Sequence, residues 1–160
     1  MKLATMKTGG RDGTSVLVSR DMKRMVVATS AVPTVRDAIE NWNEAEPKLQ
    51  TLASNLEAGT VESIAYDPTL LASPLPRAFQ WADGSAYLSH MRLVRKARGA
   101  EMPENSEVDP LLYQGGGDGF LGPVDPIPCV DKEWGLDFEG EIAVITDDVP
   151  MGCSPEEAVS

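Results

Sequence analysis

A chain of 160 residues with 42% apolar content has enough material for a soluble core, and its formal charge of −11 opposes nucleic acid and anionic lipid, which need a cationic footprint to release counterions. The start, Met1-Lys2-Leu3-Ala4-Thr5, lacks a secretory h-region, and no apolar run is long enough to span a bilayer, so the expected location is the cytoplasm, with no membrane partner. Cys129 and Cys153 stand far apart without a CxxC or a histidine cluster, which argues against a zinc site and a disulfide framework.

Residues 3–7, 15–19 and 25–28 read as paired strands, joined by the turn Gly9-Gly10-Arg11-Asp12-Gly13 and by a charged turn at 20–24. This predicts a small β-meander or barrel-like domain. Thr34 is a capping residue for the helix that follows, in which Val35, Ile39, Trp42, Leu49, Leu52 and Leu56 recur at helical intervals. Pro47 is expected to break or restart that helix and Gly59 to stop it. One more strand is expected at 61–64, then an extended passage at 70–77 with prolines at 74 and 76, and a domain boundary near residue 70.

Beyond that boundary a polar, aromatic segment at 79–90 leads into a short helix at 87–97, then into a passage at 99–128 rich in Gly, Pro and Asp. So long a stretch without periodicity is uncommon in a compact domain unless it lines a functional site. Residues 136–145 read as a strand, followed by a turn at Asp147-Asp148. Ser154, Pro155 and Glu157 have the pattern of a helix start, yet only Ala158, Val159 and Ser160 follow, so the natural chain is expected to continue.

The sharpest chemical feature is Asp137-Phe138-Glu139-Gly140-Glu141-Ile142-Ala143. On a strand Glu139 and Glu141 share a face, and two carboxylates side by side either meet water or ask for a hard divalent cation. His90, the only histidine, follows Asp83 by seven positions. Imidazole titrates near neutrality and suits general-base work, although a lone histidine is as readily structural and Asp83-Gly84 as readily a turn. Tyr113-Gln114-Gly115-Gly116-Gly117-Asp118-Gly119-Phe120 reads as a loop whose glycines let the backbone approach something closely, or equally as a flexible surface loop. Without the Walker lysine, and with Asp118 where a helix would begin, it is no phosphate loop. The basic cluster Arg92, Arg95, Lys96 and Arg98 reads as a solvated face or as an anchor for a small carboxylate.

In this order, Asp83-x₆-His90, Pro110-Leu111-Leu112-Tyr113-Gln114-Gly115 and the Glu139-Gly140-Glu141 segment resemble the motifs of the fumarylacetoacetate hydrolase family. The resemblance covers 73–160 well and 1–70 only as a variable N-terminal domain. It implies a mixed, β-rich α+β fold: residues 1–70 as that N-terminal domain, and 71–160 as the incomplete start of a β-roll catalytic domain. It also implies a metal-dependent hydrolase cleaving carbon–carbon bonds of β-diketo acids such as fumarylacetoacetate, with little or no activity in this chain alone. Asp83, Glu139 and Glu141 would be ligands of Mg²⁺ (or Ca²⁺ or Mn²⁺), His90 the catalytic base and Tyr113 a substrate contact. The implied partners are a small dicarboxylate or diketo acid and further copies of the chain, as a homo-oligomer. Hydratases, isomerases and decarboxylases of 2-oxo acids share the same motifs, and a non-catalytic acidic module stays open. A further metal-ligating aspartate and a lysine expected downstream in the family are not found in these residues.

Overall fold

Alternation of apolar side chains organises the N-terminal sheet. In the computed structural model, which describes residues 1–159, β1 (Lys2–Met6), β2 (Thr14–Val18), β3 (Arg24–Val27) and β4 (Ile64–Ala65) pair antiparallel in the order β1-β2-β3-β4. Successive strand residues face opposite ways. Leu17, opposite Val26, therefore enters one core with Ala28, Val32, Ala38, Ala45, Leu49 and Leu56, whereas Val16, Val18 and Met25 enter a second with Leu71. Burial on both faces explains why β2 reads as a continuous apolar run rather than an alternating one.

Of the two forms expected, the sheet is the open meander, with sequential strands as neighbours and no barrel closure among the described residues. The extended chain at 70–72 covers part of the outer edge of β1: Lys7 donates to the Leu70 carbonyl at 3.0 Å and Ala72 to that of Thr5 at 2.9 Å. Thr5 is buried there, its hydroxyl donating to the Pro74 carbonyl at 2.6 Å. The β2–β3 turn is held by Ser19, whose hydroxyl donates to Asp21 Oδ1 at 2.6 Å and accepts from the Arg24 amide at 3.0 Å. This hydrogen bond, with one from the Lys23 amide, holds the Asp21 carboxyl below its ordinary range.

Thr34 caps α1 (Val35–Glu40), accepting from the Asp37 amide at 3.0 Å. The helix breaks at Asn41 rather than at Pro47, and α2 (Trp42–Ala58) runs through the proline. Proline in the second turn removes one backbone hydrogen bond, which packing of Ala45, Leu49 and Leu56 into the core offsets. Gly59, with φ 70°, caps the helix end in the left-handed conformation and donates to Leu56 and Asn55.

Residues Met1–Pro76 and those from Phe120 onward cluster as one unit, and Arg77–Gly119 as another. In the second, β5 (Trp81–Gly84) and β6 (Leu112–Gly115) form an antiparallel ribbon, and α3 (Leu88–Ala97) follows β5 after three residues. Its base is closed by the bridge between Arg77 and Asp118 and by the Ala78 amide donating to Gly117 at 2.6 Å. On α3, Met91 is the buried residue, Arg92 pairs with Glu107, and Arg95 and Lys96 lie in the last turn, where cations oppose the helix dipole.

From Phe120 onward the chain is tied to the first unit by Asp125, which accepts from the Gly122 amide at 2.9 Å and pairs with Lys7 at 2.6 Å. The strand expected at 136–145 does not form: these residues are exposed and join no β-ladder. Ser154 and Glu157 do make a reciprocal capping box, with Ser154 N to Glu157 Oε2 at 2.7 Å and Glu157 N to Ser154 Oγ at 3.3 Å, ahead of a 3-10 turn at Glu157–Val159. Ser160 lies outside the described residues. The architecture is thus mixed α+β, a sheet-and-helix N-terminal region followed by a β-ribbon with one helix. Among the described residues no helix is long and apolar enough to cross a membrane.

Candidate functional site

The β5–β6 register brings together residues from two separate motifs. Trp81 lies opposite Gly115 and Asp83 opposite Tyr113, so all four belong to one face of the ribbon, with Ala82, Gly84, Leu112 and Gln114 on the other. Of the expected loop, residues up to Gly115 belong to β6, and close approach occurs at Gly115 and Gly117 but not at Gly116 or Gly119. A side chain at Gly115 would run into the Trp81 ring, and one at Gly117 into the Ala78 carbonyl. Trp81 and Tyr113 stand edge to face, ring centroids 5.7 Å apart at 79°. Asp83 and Tyr113 are exposed, and the ribbon face offers a carboxylate beside a phenol and an indole.

His90 sits in the first turn of α3, exposed, on the helix that β5 leads into. Glu139 and Glu141 lie in the exposed chain that forms no strand. Trp81 and Gly115 were not among the expected site residues. The available signal was period two: Trp81 precedes Asp83 by two positions and Gly115 follows Tyr113 by two, which on strands means a shared face. A shallow groove of about 460 Å³ on α2, lined by Ser30, Lys48, Thr51 and Asn55 among others, contains none of the expected site residues. Both cysteines are free thiols.

Comparison with protein families finds two matches. Residues 1–77 match the fumarylacetoacetase N-terminal domain 2 model, and residues 80–160 match the fumarylacetoacetate (FAA) hydrolase C-terminal model. The chain belongs to the fumarylacetoacetate hydrolase family. Among curated proteins none matches it.

For this member of the fumarylacetoacetate hydrolase family, the metal expectation needs correction. Among the described residues, no three His, Cys, Asp or Glu side chains gather into a group that could hold an ion. The residues do not fit the Mg²⁺, Ca²⁺ or Mn²⁺ centre expected on Asp83, Glu139 and Glu141. A hard cation needs several oxygens held in a fixed geometry. Outside any ladder, Glu139 and Glu141 have no strand to set their side chains on a common face.

Proposed function

We propose that this family member is a hydrolase of carbon–carbon bonds in β-diketo acids, with fumarylacetoacetate as the type substrate. The observation that carries the reading is the pairing of Asp83 with Tyr113, which joins two motifs thirty positions apart within the part that matches the family's C-terminal model. His90 takes a proton from water as the water oxygen adds to a carbonyl carbon. Collapse of the adduct breaks the carbon–carbon bond, leaving a carboxylic acid and an enolate, and the imidazolium returns its proton to the enolate carbon. Tyr113 donates its hydroxyl hydrogen to the substrate oxygen on which negative charge develops. The reading assigns no ion to Asp83, Glu139 or Glu141.

Exposure of Asp83, His90 and Tyr113 supports slow turnover by these 160 residues alone, because water screens the interactions that an enclosed site would strengthen. The same reading takes residues 1–70 as the N-terminal domain and 71–160 as part of a β-roll catalytic domain. Self-association belongs to it as well, supported by exposed apolar side chains at Phe138, Ile142 and Val144.

The test is hydrolysis of fumarylacetoacetate by the 160-residue chain, followed by fumarate release. Slow turnover is expected, falling roughly 100-fold or more in His90→Ala. Equal rates in wild type and His90→Ala, or no binding of the diketo acid at all, would overturn the reading.

A further inference from the structure

We infer that Trp81 is a positioning residue that sets the orientation of the Tyr113 phenol, and that Gly115 is glycine so that the Trp81 indole can lie across the ribbon to reach it. The inference rests on the proposed role of Tyr113 as a substrate contact and deepens it. Trp81 and Tyr113 are diagonal neighbours on one face, a separation that only large side chains bridge. Their edge-to-face contact at 5.7 Å is the preferred aromatic arrangement.

The space that the indole occupies is the space a side chain at 115 would take. A Cβ there would fall within 3.0 Å of two carbons of the Trp81 six-membered ring and 3.2 Å from Tyr113 Cε1. Gly115 has no left-handed backbone angle, so the requirement for glycine is steric and lies in the indole. Gly116 is the natural control: a Cβ there meets nothing within 4 Å, and it too lacks a positive φ. Tyr113 is 64% exposed, so few contacts hold its ring, and among the described residues the Trp81 indole is its aromatic neighbour.

The experiment uses the whole chain with oxaloacetate as the probe, a dicarboxylate whose carbonyl β to a carboxyl mimics part of the proposed diketo acid. Two quantities are read: the Tyr113 ring-proton shifts, assigned among three tyrosines with Tyr113→Phe, and the dissociation constant for the probe. Trp81→Leu and Gly115→Ala should both move the Tyr113 resonances and weaken binding by roughly 2- to 12-fold, the range that aromatic pairing supplies. Trp81→Phe should restore most of the affinity, and Gly116→Ala should change neither reading.

If wild type binds oxaloacetate and Gly115→Ala moves the ring shifts without changing affinity, the substrate reading survives and the role of Trp81 is refuted. Unmoved ring shifts in Gly115→Ala refute it too. If wild type binds no oxaloacetate, the role of Tyr113 falls, and the role of Trp81 falls with it.

Discussion

Two glycines in the β1–β2 turn separate backbone strain from steric conflict. Gly10 has φ +95° and open space around it, so Gly10→Ala bears only the conformational cost, about 1–3 kcal/mol. Gly13 has φ +67°, and a methyl there would also strike the Thr5 Cγ2 and the Met6 carbonyl oxygen. Neither neighbour can give way easily. The Met6 carbonyl belongs to β1, and the Thr5 side chain is fixed by its hydroxyl's hydrogen bond to Pro74 at 2.6 Å. Overpacking adds about 1–3 kcal/mol, so Gly13→Ala should cost roughly 2 kcal/mol more than Gly10→Ala. With a urea m-value of about 2 kcal/mol/M, the midpoint should fall about 1 M further for Gly13→Ala. Equal midpoints at unchanged m would refute the argument that the turn packs against β1.

Asp21 offers a pH test. Its carboxyl is held below the ordinary 3.8 chiefly by the Ser19 hydroxyl, so its contribution is present above that pH and is lost as pH falls through the folded value. Urea midpoints of wild type and Asp21→Asn should differ at pH 7 and draw together as pH falls from 3.8 through the lower folded value, whereas a gap that stays constant with pH would count against the hydrogen bond. Calorimetric titration with Mg²⁺ should give no saturating heat, and a saturating isotherm lost in Glu139→Ala with Glu141→Ala would reverse the metal correction. Leu49→Ala, at a fully buried α2 position, should destabilise by about 2–5 kcal/mol in urea melts. Replacing Phe138, Ile142 and Val144 by Ser should lower the mass measured by light scattering at high concentration; an unchanged mass removes self-association through that segment.

Where local chemistry decides the structure, the sequence was readable. The strands at Lys2–Met6, Thr14–Val18 and Arg24–Val27, the Thr34 cap, the Gly59 stop and the Ser154–Glu157 capping box all follow from residues within a few positions of one another. The ribbon was less legible. Its strands contain Asp and Gly, residues depleted in sheets, and they pair across some thirty positions of chain. The opposite failure occurred at 136–145, where alternation and β-branched residues suggest a strand. A strand is stabilised by cross-strand neighbours, and the described residues supply none there. The candidate site divides in the same way. Motif residues Asp83 and Tyr113 could be singled out from the sequence, but their adjacency was a matter of register, and the metal inferred from Glu139 and Glu141 depended on a strand that is not formed.

The pairing of Arg77 with Asp118 and of Ala78 with Gly117 brings the two ends of residues 77–119 together. A unit whose ends meet can be rebuilt internally while its connections are kept, since those ends need only a short bridge. Replacing 79–116 by a few glycines should leave the N-terminal sheet intact, so new recognition surfaces can arise within 79–116 while the sheet is left alone.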